Sequence, residues 1–121
     1  MLSSKELSVR TLSERKCEPC EGGVDPLDEH QSHELLAALH DDWQLNVHKT
    51  EIAREVHFAG YHRTVSFVNA VAWIANTEGH HPLLSFGYGK CTVIWTTNAI
   101  NGLSVNDFIC AAKTDLLLDA I

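Results

Sequence analysis

Long apolar runs are missing from this chain. Its longest uncharged, mostly apolar stretch, residues 64–77, is too short to cross a bilayer and contains Asn69. The first residues include Ser3, Ser4, Lys5 and Glu6 and carry no apolar signal core. A cytoplasmic protein with no membrane partner is the expectation. Basic residues are also scarce: 9 Lys and Arg stand against 16 Asp and Glu, a net charge of −7 with histidine neutral. Nucleic-acid binding driven by phosphate neutralisation is therefore not expected. Cysteine is limited to Cys17, Cys20, Cys91 and Cys110. Cys17 and Cys20 have the spacing of half a zinc site or of a redox dithiol. No second pair completes a zinc site, and a redox motif would normally sit at a strand-to-helix junction rather than in a polar leader. Reduced thiols and no bound metal are the expectation, since disulfides belong to oxidising compartments.

A content of 45 % hydrophobic residues over 121 positions is enough to build one domain core. Residues 1–26 form a polar leader, and residues 27–121 form the domain. Asp28 with Gln31 makes a helix-starting box, and Leu35, Leu36 and Leu39 give an apolar face over 29–40. Trp43, Leu45 and Val47 alternate with polar residues as a half-buried strand. Ile52, Arg54, Val56 and Phe58 share one parity in the next, which makes Lys49-Thr50 the expected hairpin connection. Past Gly60, Val65, Val68, Ala72, Val71, Ile74 and Ala75 recur at helical spacing. Gly79 suits the left-handed end of that helix, and Pro82 prevents its resumption. Leu84, Phe86 and Tyr88, then Cys91, Val93 and Trp95, read as a second antiparallel pair. Ser104 with Asp107 starts the last helix. The predicted order is α-β-β-α-β-β-α: an α+β domain with a four-stranded antiparallel sheet and helices packed on one face. The other face, and the sheet edges, are left for solvent or a second subunit.

The densest chemistry is at Gly79-His80-His81-Pro82, where a helix ends and a strand begins. Imidazoles titrate near neutrality, so an adjacent pair suits proton transfer. The alternative is a helix end decorated by two rings that favour its dipole. His30 and His33 read as a solvated helix face, and His57 as an outward strand residue.

The spacing downstream of the pair resembles the pterin-4a-carbinolamine dehydratase family. The shared features are His80-His81-Pro82, the aromatic Tyr88, and Asp107 within the turn running from Gly102 through Leu103 and Ser104 to Phe108. A leader of the type Cys17-Glu18-Pro19-Cys20-Glu21-Gly22-Gly23 is common in bacterial members. The resemblance covers about residues 17–118. It implies the α-β-β-α-β-β-α fold just read, a homodimer or homotetramer, and a dehydration that needs neither metal nor organic cofactor. Water would be lost from 4a-hydroxytetrahydrobiopterin to give quinonoid dihydropterin in tetrahydrobiopterin recycling. By resemblance His80 and His81 are the catalytic candidates. His80, His81, Pro82, Tyr88, Asn98 and Asp107 are the substrate-binding ones. Trp95 reads as packing rather than as a pterin platform, and Asp107 first of all as a first-turn helix carboxylate. The chain departs from the pattern twice: Asn98 stands where a third histidine is expected, and Asn76 where many members carry glutamate. The alternative implied is a weakly catalytic or non-catalytic pterin-binding, accessory or coactivator-like protein, since an animal relative also serves as dimerisation cofactor of a homeodomain transcription factor.

Overall fold

The structure is a computed structural model that describes residues 7–19 and 22–121. Among these the elements are α1 (Val9–Ser13), α2 (Glu29–Leu36), β1 (Gln44–Leu45), β2 (Ile52–His57), α3 (Tyr61–Glu78), β3 (Leu83–Phe86), β4 (Lys90–Trp95) and α4 (Val105–Asp119), with a 3₁₀ turn at Asn98–Ile100. The four strands form one antiparallel sheet in the order β1-β2-β4-β3. The predicted α+β architecture, with its helices on one face of the sheet, is the one observed.

Strand register follows from which residues must leave water. Ile52 lies opposite Trp95 and Val56 opposite Cys91, so their side chains share the helix-covered face. Ile52, Cys91, Val93 and Trp95 are fully buried there. Alternation then sends Glu55, His57 and Lys90 to the opposite, exposed face. α4 crosses the middle of the covered face. Phe108, Ile109, Cys110, Ala111 and Ala112 are all buried, so it is enclosed on nearly every side. α3 and the short α1 flank it.

Local start and stop signals act where the residues predict. Gln31 N–H donates to Asp28 Oδ1 at 2.7 Å, and Asp28 N–H donates to Gln31 Oε1 at 3.0 Å. Gly79 has φ +65°, the left-handed conformation in which a side chain would be strained. Its amide and that of His80 both return to the Ala75 carbonyl, closing α3.

Three expectations need correction. The helix predicted over 29–40 ends at Leu36, and separate turns carry the chain on to Leu39. The strand expected around Trp43–Val47 is only Gln44–Leu45. Asn46 Oδ1 accepts from the amides of Thr50 at 2.7 Å and Glu51 at 3.1 Å, so the side chain closes a wider loop before the ladder can continue. The connection is thus this loop, with Lys49 at φ +59°, rather than a two-residue turn. Residues before 27 lie over the domain and reach its core: Leu12 of α1 is fully buried, and Lys113 Nζ of α4 donates to the Ser13 carbonyl at 2.7 Å.

Candidate active site

The end of α3 sets His80 down beside the start of α4. His80 Nε2 is 2.6 Å from Asp107 Oδ1, and the two side chains are 12 % and 0 % exposed. The imidazole lies parallel to the Trp95 ring, with centroids 5.8 Å apart and planes 8° apart. Ring contact on one side and a carboxylate at one nitrogen fix both the tilt and the rotation of His80.

Asp107 is held from behind. Its Oδ2 accepts from Thr97 Oγ1 at 2.7 Å and from the Ser104 amide at 3.0 Å. Thr97 has one hydroxyl proton and spends it on Asp107. In its 2.8 Å contact with Ser104 Oγ, Thr97 is therefore the acceptor. A carboxylate buried among a hydroxyl, a backbone amide and an imidazole is fully served only when its imidazole partner donates. The proton of a neutral His80 then belongs on Nε2, leaving Nδ1 as the ring's remaining polar atom. The helix-capping role expected of Asp107 is present, and so is a second role at His80. One side chain starts α4 and orients the imidazole.

In front of His80 is a cleft of about 330 Å³, lined by residues 17–19, 78–81, 96–99 and Asn106. That volume suits a small organic molecule. His80, His81 and Asn98 come together on its wall; Asp107 stands behind His80 and does not line it. Pro82 and Tyr88 are not among the lining residues. Pro82 follows the corner, and Tyr88 sits in the β3–β4 turn, 75 % exposed. Trp95 is fully buried beneath His80, so no ligand can stack on it. Asn76 is exposed on α3 and does not line the cleft.

The leader forms one wall of the cleft, which residue spacing alone could not reveal. Cys17 N–H donates to Glu78 Oε1 at 2.8 Å. Glu18 N–H donates to Asn106 Oδ1 at 3.0 Å, and Asn106 Nδ2 donates back to the Glu18 carbonyl at 2.6 Å. Glu78, Thr97 and Asn106 are thus structural members of the site beyond those expected. The only signals for them in the sequence were proximity to His80, Asn98 and Asp107. Among the described residues, no three His, Cys, Asp or Glu side chains are grouped to hold a metal ion. Cys20, the second cysteine of the leader motif, falls outside the described residues. No helix among them is long and apolar enough to cross a membrane.

An α+β domain whose helix-end imidazole is backed by a buried carboxylate, facing a small cleft, belongs to the class equipped for acid–base chemistry on a small molecule. The family model for pterin 4 alpha carbinolamine dehydratase matches residues 25–117, and the chain belongs to that family. A Nitrosomonas eutropha protein, provisionally named pterin-4-alpha-carbinolamine dehydratase, is 52 % identical over 111 residues, covering 92 % of this chain and 96 % of its own. Among solved structures, a transcriptional coactivator/pterin dehydratase from Brucella melitensis aligns with TM-score 0.72 at 28 % identity, covering 77 % of this chain and 98 % of that one. A pterin dehydratase-like RuBisCO assembly factor of the alpha-carboxysome shares the fold, with TM-score 0.56 at 22 % identity over 64 % of this chain and 90 % of its own.

Proposed function

We propose that this protein dehydrates 4a-hydroxytetrahydrobiopterin to quinonoid dihydropterin, with His80 as the principal proton-transfer group. The observation that carries this reading is His80 on the wall of the cleft, held from behind by Asp107 at 2.6 Å. The reaction needs one proton delivered to the departing C4a hydroxyl and one removed from a ring nitrogen. An imidazole whose Nε2 is tied to a buried carboxylate exchanges protons through Nδ1, with Asp107 holding the ring's tautomer and orientation. His81, exposed on the same wall, binds the pterin or assists the transfer. Asn98 hydrogen-bonds the pterin but supplies no exchangeable proton near neutrality. Pterin recycling in the cytoplasm, a homo-oligomeric state, and a leader at 1–26 preceding the domain at 27–121 belong to the same proposal.

The second reading is an accessory or coactivator-like protein that binds a pterin with little or no turnover. Asn98 is the observation that favours it, because a carboxamide occupies the cleft wall where the family's third imidazole is expected. Stopped-flow dehydration separates the two. Under the dehydratase reading the purified protein accelerates the reaction, His80→Ala removes about 10²–10⁴ of the rate, and Asn98→His increases it. Background rates in the wild-type protein together with measurable pterin binding would establish the second reading instead.

A further inference from the structure

The leader does more than wall the cleft. Cys17 Sγ lies 3.4 Å from Cys110 Sγ, although 93 positions separate them in the chain. Both thiols are free. Three backbone and side-chain hydrogen bonds hold the leader in place, from Cys17 to Glu78 and in both directions between Glu18 and Asn106. The Cys17 thiol is also within 3.6 Å of the Asn106 carbonyl. The contact is therefore anchored on both sides rather than being a chance approach of two loose chains. The partners differ in access: Cys17 is partly exposed on the cleft wall, whereas Cys110 is buried inside α4.

We propose that Cys17 and Cys110 form a redox modification site that takes up an oxidising equivalent from a hydroperoxide and closes as a disulfide. In the first step the Cys17 thiolate attacks the peroxide oxygen. The O–O bond breaks, Cys17 becomes a sulfenic acid and the peroxide leaves as water or an alcohol. In the second, Cys110 sulfur displaces the hydroxyl from Cys17. An S–S bond forms, and the Cys110 proton leaves with that hydroxyl as water. The sulfurs must approach by about 1.4 Å to reach the usual disulfide length of about 2.0 Å. The order of events follows from the surroundings. The hydrogen bond that Cys110 donates to Cys17, then burial, then the charges of Cys17, Glu78 and Asp107 push the Cys110 thiol far above its ordinary range. Cys110 keeps its proton until Cys17 has been oxidised. The bond would fasten the leader to the helix that carries Asp107, three positions before Cys110.

The test is peptide mass mapping of the full chain, without reductant, after treatment with limiting hydrogen peroxide. A Cys17–Cys110 linkage two hydrogens lighter, reversed by dithiothreitol, is expected. Closing so long a loop should raise Tm by on the order of 10 °C. Cys20→Ser should retain both results. Cys17→Ser should lose both, and because Cys17 is partly exposed this variant keeps the test open if Cys110→Ser fails to fold. A Cys17–Cys20 linkage, a Cys17 that runs on to sulfinic acid without pairing, or an undiminished Tm rise in Cys17→Ser would overturn the proposal. None of these readouts depends on the dehydratase reading.

Discussion

Two histidine–carboxylate pairs in this molecule invite comparison. His80 and Asp107 meet at 2.6 Å, with side chains 12 % and 0 % exposed. His57 and Glu55 meet at 3.2 Å on the open face of the sheet, with side chains 70 % and 50 % exposed. The functional groups are the same, and so is their approximate separation. What differs is how far each carboxylate is constrained. Asp107 has two further donors, the Thr97 hydroxyl and the Ser104 amide, and is fully buried. Glu55 has the exposed ammonium of Lys90 at 3.3 Å and open solvent. A pair becomes a device for placing a proton when its geometry is set by the surrounding fold. A pair on an open strand face is set by little beyond its own attraction.

The largest effect is expected at Asp107. Asp107→Ala removes an acceptor from a buried hydroxyl, a helix-capping amide and an imidazole, and should destabilise the fold by about 3 kcal/mol. Denaturant titration checks this, and a loss below about 1 kcal/mol would mean that the buried pair is no better constrained than the exposed one. Asp107→Asn separates stability from chemistry. Its carboxamide can still accept at one oxygen but presents N–H groups elsewhere, so it favours the opposite His80 tautomer. The variant should fold with a smaller penalty while dehydration falls by about 10²–10⁴. Wild-type turnover in Asp107→Asn would remove the orienting role of this carboxylate.

A smaller effect is expected at Thr97, which touches Asp107 but not the imidazole. Thr97→Val keeps the shape of the side chain and deletes the hydroxyl, leaving Oδ2 with the Ser104 amide alone. The stability cost should be about 1–2 kcal/mol. The rate should fall less than in Asp107→Asn, because His80 retains its acceptor. A Thr97→Val rate as low as that of Asp107→Asn would place the hydroxyl inside the chemistry rather than behind it.

These contrasts also show which features could be seen in the amino-acid sequence. Signals that act within a few residues were legible: the Asp28–Gln31 box, the left-handed Gly79, the Ser104–Asp107 start of α4 and the parity of β2 and β4. The His80-His81 corner could be located for the same reason, since a glycine and a proline bracket it. Features set by long-range packing were not legible. Asp107 is a sound helix-start residue by local rules, and nothing local says that its other oxygen meets a side chain 27 positions earlier. Tyr88 has the spacing of a site residue but rides a turn away from the cleft lining. α1 and the Cys17 contact depend on Leu12 and Cys110 meeting in a core that only the folded chain assembles.

The smallest effect belongs to the exposed pair, and it tests the comparison from the other side. Hydrogen bonding from His57, followed by that from Lys90 and the Lys90 charge, holds the Glu55 carboxyl below its ordinary range. A carboxyl with a lower folded pKa stabilises the protein above its unfolded pKa, and that contribution disappears as pH falls through the folded value. Its sign is therefore acid-labile, but its size is limited by solvent and screened by salt. Thermal melts of wild type and Glu55→Gln should differ slightly at neutral pH and low salt, then converge both on acidification and on raising the salt to molar levels. His57→Ala should behave in the same way, with dehydration unchanged. A salt-resistant drop in Tm, or a loss of turnover in either variant, would show that the open sheet face constrains this pair as firmly as the core constrains His80 and Asp107.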